Sequence, residues 1–131
     1  MTRFDASDPA ERRTLFVDAI VAHRERASPF LTIEVDAAAL EDDSHGTPWI
    51  QFADGVVNLD CTEAELESMK SLLATYPAFK IADLTRPDDA KGVNVRVSAK
   101  ADPNRIAQFL EATFQEVYGL PAAYRAWVTA V

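Results

Sequence analysis

Cys61 is the sole cysteine of this 131-residue chain, and a thiolate nucleophile there would need an imidazole base within reach. Histidine occurs only at His23 and His45. His23 falls late in an expected helix beside Arg24 and Arg26, where interaction with the helix C-terminus accounts for a histidine without chemistry. Cys61 shares the parity of Val57 and Leu59, which marks a small buried thiol at a strand end. Asp42, Asp43 and His45 are potential metal ligands, but their spacing matches neither a calcium loop nor a zinc pattern, and acidic loops are usually just solvated. Asp88-Asp89 is a carboxylate pair in a polar turn, with nothing apolar to raise a pKa for acid–base work. A glycine-rich phosphate loop and a Gly-x-Ser-x-Gly elbow are both missing from the sequence. The expectation is a protein that is not an enzyme, with no catalytic residue, cofactor or metal.

The elements that would position any site are easier to read. Asp54-Gly55 tolerates the positive φ angles of a tight hairpin, flanked by Trp49–Ala53 and Val56–Asp60. That loop sets Phe52 opposite Val57 and Ile50 opposite Leu59, all on one face. Thr62-Glu63-Ala64-Glu65 then reads as a capping box opening a helix with Leu66, Met69, Leu72 and Leu73, which stops before Pro77. Upstream, Ser7-Asp8-Pro9 starts a helix with an apolar side of Leu15, Phe16, Ala19, Ile20 and Val21, running to about Arg26 and ended by Pro29.

Phe30 to Asp36 alternates as a half-buried strand, with Leu31, Ile33 and Val35 on one side. A fourth strand starts at Phe79 and Ile81 and continues to about Leu84, and a fifth carries Val93, Val95 and Val97. Asp102-Pro103 opens a last helix with Ile106, Phe109, Leu110, Thr113, Phe114 and Val117 on one side and Gly119 as its C-terminal cap. The segment from Pro121 to Val131, with Tyr124, Trp127 and Val128, is apolar enough to pack on the core, as a short helix or as an extended segment. The expected fold is therefore a single α+β domain over residues 1–131. Its order is helix-β-β-β-helix-β-β-helix, with an antiparallel five-stranded sheet and the helices packed on one side.

This order and spacing of elements resembles the type III secretion chaperone-like fold, which the YbjN family shares. The likeness implies a small homodimer that binds peptide segments of other proteins and catalyses nothing. Separately, Met1-Thr2-Arg3-Phe4-Asp5, Asp8-Pro9-Ala10-Glu11-Arg12-Arg13, Asn58-Leu59-Asp60-Cys61-Thr62 and Tyr124-Arg125-Ala126-Trp127-Val128-Thr129 are similar to a small haloarchaeal family of unknown function. That second likeness implies no activity.

Charge narrows the partners. The net charge of −8 disfavours nucleic acid, and no apolar run approaches a membrane span, so a soluble cytoplasmic protein is expected. Asp outnumbers Glu by 12 to 9 and Arg outnumbers Lys by 9 to 4. Short hydrated carboxylates with few lysines suit a salt-rich cytoplasm, because salt screens the self-repulsion of an acidic surface. The melting temperature is accordingly expected to rise markedly between dilute buffer and molar KCl, and a flat response would exclude salt adaptation.

If the apolar residues of the strands face the helices, alternation sends Phe30, Trp49, Lys80 and Arg96 to the opposite face, with Glu34, Asp36 and Lys100 nearby. Trp49 and Phe30 are large for a solvated face. Such a mixed aromatic and charged surface suits self-association or a peptide ligand, although an ordinary solvated face partly covered by the tail has the same pattern. The functional expectation is a non-enzymatic module that binds a protein or peptide, a second copy included, through Trp49, Phe30, Lys80 and Arg96. The alternative is a small-molecule-binding regulator or an undetected enzyme with a pocket between helices and sheet.

Overall fold

A computed structural model of the chain describes residues 4–26, 30–36, 47–87 and 92–129. Pro29, Asp42, Asp43, His45 and the Asp88-Asp89 pair lie outside them. The elements in chain order are β1 (Phe4–Ala6), α1 (Pro9–Arg26), β2 (Leu31–Val35), β3 (Trp49–Ala53), β4 (Val56–Cys61) and α2 (Glu63–Leu73). They are followed by β5 (Lys80–Thr85), β6 (Val93–Ser98), α3 (Pro103–Ala112) and β7 (Ala126–Thr129).

The hairpin forms in the register its turn dictates. Asp54 and Gly55 both adopt positive φ, at 52° and 78°, and Ile50 pairs with Leu59 as Phe52 pairs with Val57. The capping box is complete: the Thr62 hydroxyl accepts from the Glu65 amide at 3.1 Å, and the Glu65 carboxylate accepts from the Thr62 amide at 2.8 Å. Asp8 and Asp102 cap the other helices, accepting from the amides of Ala10 and Arg105 at 3.1 and 3.0 Å. Past Ala112 the last helix widens into a π-turn over Thr113–Val117, where the Thr113 hydroxyl donates to the Phe109 carbonyl, and Gly119 ends it with φ +71°.

Among the described residues the sheet has seven strands, not five, in the order β1-β7-β2-β3-β4-β6-β5, and every pairing is antiparallel. The additional strands are the two ends of the chain. β1 has 3 residues and β7 has 4, too few for alternation to declare itself, and β7 becomes a strand by pairing on both sides, with β1 and with β2. β4 and β5 are consecutive in sequence but do not pair, because α2 separates them and β6 fills the gap.

Sidedness follows from alternation. Leu31, Ile33, Ile50, Phe52, Val57, Leu59, Val93, Val95 and Val97 are closed to solvent, and the helices cover them with Phe16, Ile20, Leu66, Met69, Ile106, Phe109 and Phe114. A bulge between Ile81 and Asp83 resets the parity of β5, so Leu84 opposes Val95 and packs on the core where simple alternation would send it outward. One expectation for α1 needs correction, its apolar side at Val21. Val21 is 37% exposed, while Arg12 and His23 are buried, because the buried stripe runs 12, 16, 19, 20, 23.

Candidate functional site

The face of the sheet that none of the described helices covers, called the uncovered face below, carries its side chains in cross-strand rows. One row crosses four strands as Asp5, Trp127, Glu34 and Trp49, on β1, β7, β2 and β3. The next crosses six as Thr129, Thr32, Gln51, Asn58, Arg96 and Asp83. A third runs from Val56 through Ser98 to Lys80.

Where the first row meets the second, an open groove of about 600 Å³ lies on the sheet. Trp49 and Trp127, the chain's two tryptophans, line it with Glu34, Thr32 and Gln51, and Thr47-Pro48 closes one end. With β2 between their strands, the backbones carrying the two indoles stand about 10 Å apart. The Trp127 indole N–H donates to Glu34 Oε2 at 3.0 Å, which fixes that carboxylate between the two rings. Both tryptophans are half-buried.

The expected contact residues share this face but do not converge. Trp49 lies in the groove. Phe30, 44% exposed, precedes β2 near the far end of the strands, about 13 Å along the chain direction from the Glu34 row. Arg96 is exposed two strands from Trp49, opposite Asn58 and Asp83, and Lys80 is exposed on the edge strand β5. The groove instead pairs Trp49 with Trp127, which the sequence reading left in an unassigned tail. The signal was present in the alternation Ala126-Trp127-Val128, whose outer members are buried.

Trp127 reaches the groove because β7 is held in the sheet by a buried polar cluster that the sequence reading missed. Arg12 has no solvent exposure. Its guanidinium forks onto Glu111, with Nη2 at 2.6 Å from Oε1, and donates to the carbonyls of Tyr124 and Ala122 at 2.7 Å each. It also lies 3.9 Å over the Tyr124 ring, whose hydroxyl donates to Glu111 at 2.9 Å, and the Gln115 amide donates to the same carboxylate at 3.0 Å. Burial works against the Arg12 charge, but Glu111 and Tyr124 outweigh it and hold its pKa above the ordinary value. Burial and then the Glu111 charge push the Tyr124 phenol up. Every guanidinium nitrogen is thereby satisfied, and the segment leading into β7 is clasped to α1 and α3.

Among the described residues, the histidine and the cysteine that could make a thiol site, His23 and Cys61, do not meet. His23 packs edge-on against Phe52, ring centroids 5.6 Å apart, and Phe52 opposes Val57 on β4. Cys61 is four residues further along that strand, about 13 Å away. Burial, reinforced by Glu65, Asp60 and Glu63, pushes its pKa to about 11, so at neutral pH it is a thiol and a poor nucleophile. Tyr118 donates to the Asp60 carbonyl beside it, its own pKa raised by burial. Among the described residues, no three His, Cys, Asp or Glu side chains are placed to hold a metal ion, and no helix is long and apolar enough to cross a membrane.

No curated protein and no solved structure matches the chain. A family model does match, over residues 1–131, and the chain belongs to that family, DUF7975, a family of unknown function.

Proposed function

We propose that this protein is a non-enzymatic module that binds a protein or peptide, a second copy of itself included, on the uncovered face of its sheet. The observation that carries the reading is the pair of half-buried tryptophans flanking Glu34 in one cross-strand row. Tryptophan on a face that helices do not cover supplies a large contact area with few rotamers to immobilise, and aromatic residues are enriched where proteins meet. The element order adds support through its likeness to the type III secretion chaperone-like fold and the YbjN family, whose members bind peptide segments as small dimers. The acidic, lysine-poor composition and the resemblance to a haloarchaeal family support a salt-rich cytoplasm as its setting.

Trp49→Ala tests the reading. Trp49 lies on the uncovered face and is half-buried, so the variant should fold, with a melting temperature within a few degrees of the parent. Self-association measured by light scattering, or capture of a partner from a salt-matched native lysate, should fall at least about tenfold, a loss typical of an interface aromatic. A variant that unfolds while assembly of the folded fraction is unchanged would make Trp49 a structural residue and end the proposal.

A further inference from the structure

The sheet ends differently at its two edges. β1 contributes 3 residues, whereas β5 contributes 6 and, among the described residues, pairs only with β6. A strand in that position has a second row of backbone N–H and C=O groups that another strand can take up. Ile81 and Leu84 point to the helix side of the sheet but are only half-buried, so apolar surface remains at this edge. The bulge at Ala82 sets the charge pattern. Lys80 and Asp83 are three residues apart and would lie on opposite faces of a regular strand. With Ala82 as the extra residue they stand opposite Ser98 and Arg96, two rungs apart on the same outer face, and Ile81 between them points the other way. Both are exposed, and among the described residues neither takes part in an ion pair. Asp83 accepts from the Leu84 amide through one oxygen, at 2.9 Å, and keeps the other for a cation.

We infer that β5 pairs antiparallel with the β5 of a second copy of this chain, about a two-fold axis through Ile81. In that register each Lys80 faces the partner's Asp83, twice by symmetry, and Ile81 faces the partner's Ile81. Lysines and bulges at a sheet edge ordinarily discourage strand addition. On this edge the bulge instead brings the lysine and its counter-charge to a spacing at which the strand complements itself. Moving the axis one rung, to Asp83, would set that carboxylate against the partner's Asp83, which like-charge repulsion disfavours. A two-fold contact is closed, so assembly through this edge stops at two copies. The axis stands perpendicular to the sheet, so the helices of both copies lie on one side and their Trp49 faces on the other. The edge is thus a different surface from the uncovered face, and the inference goes beyond the peptide-binding reading.

Exchange of the two charges tests the register. Sedimentation equilibrium of the full chain over a concentration series, at one fixed salt concentration, should show a monomer–dimer equilibrium. Lys80→Glu and Asp83→Lys each turn two attractions into two like-charge contacts, so each alone should dimerise at least about tenfold more weakly than the parent. An equimolar mixture of the two variants sets opposite charges against each other at both contacts and should recover the parent's affinity to within about threefold. Net charge alone predicts otherwise for Asp83→Lys, which moves the chain from −8 towards zero and would ease association. Amide exchange in β5 should slow with concentration in the parent and in the mixture, but in neither variant alone. Unchanged melting temperatures will show that the variants fold. Asp83→Asn, which keeps an acceptor for the Leu84 amide, serves if Asp83→Lys does not fold: mixed with Lys80→Glu it restores one pair and should dimerise better than Lys80→Glu alone. A parent that stays monomeric, single variants that dimerise like the parent, or a mixture that recovers nothing overturns the inference. The two readings fail separately. Association lost in Trp49→Ala with no response to charge exchange removes only the edge, whereas recovery by charge exchange with partner capture untouched by Trp49→Ala removes only the face.

Discussion

Replacing Arg12 with methionine is expected to destabilise the protein by about 3–5 kcal/mol, the range for removing one partner of a buried ion pair. The side chain is closed to solvent, and its removal leaves the Glu111 carboxylate, 13% exposed, with only the Tyr124 hydroxyl and the Gln115 amide. The carbonyls of Ala122 and Tyr124 lose their donors at the same time. An unpartnered buried charge is far costlier than an absent pair, so the second half of the prediction has the opposite sign. Arg12→Met combined with Glu111→Leu should recover a large part of the loss, as replacing a buried pair with packed apolar groups often does. Urea denaturation followed by circular dichroism measures both. A single variant within about 1 kcal/mol of the parent would show that the cluster is only a surface pair in effect. Trp127 adds a local readout, because release of β7 should move its emission to longer wavelength at urea concentrations where the rest of the sheet is intact.

That cluster marks where sequence reasoning stopped. The hairpin, the capping box and the inward set from Leu31 to Val97 were legible because each depends on neighbours in sequence or on strict alternation. Arg12 was not, since its partners lie 99 to 112 positions away and an arginine near a helix start looks like any solvated charge. Its place on the stripe with Phe16 and His23 was the only local sign. The missing strands share that cause. Ala126–Thr129 is extended because β1 and β2 flank it, and that flanking is a property of the assembled sheet. Trp49 was readable as an outward residue from the hairpin register alone. Its groove was not, because Trp127 arrives from the other end of the chain.

The two sides of the sheet can be told apart with one residue type. Phe52 is 1% exposed and packs under α1 against His23, whereas Phe30 is 44% exposed on the uncovered face. Phe52→Ala should cost about 3–5 kcal/mol through lost transfer energy and the cavity left behind, while Phe30→Ala should stay within about 0.5 kcal/mol. Comparable losses at the two sites would mean that the outer face is covered after all, and would undercut its assignment as a binding surface. The pH dependence gives a second, independent signature. Burial and then the Arg24 charge lower the His23 pKa from its ordinary 6.5, and its Nδ1 is buried without a partner. The unfolded chain therefore takes up this proton at higher pH than the native state does, and the stability that neutral His23 confers is present above about pH 6.5 and lost as pH falls through its native pKa. In Phe52→Ala, water entering the cavity beside the imidazole relaxes that pKa towards its ordinary value. The destabilised variant should then lose less stability than the parent between pH 7 and pH 5.5, so that its penalty narrows on the acid side. Phe30→Ala, with no histidine beneath it, should follow the parent curve throughout.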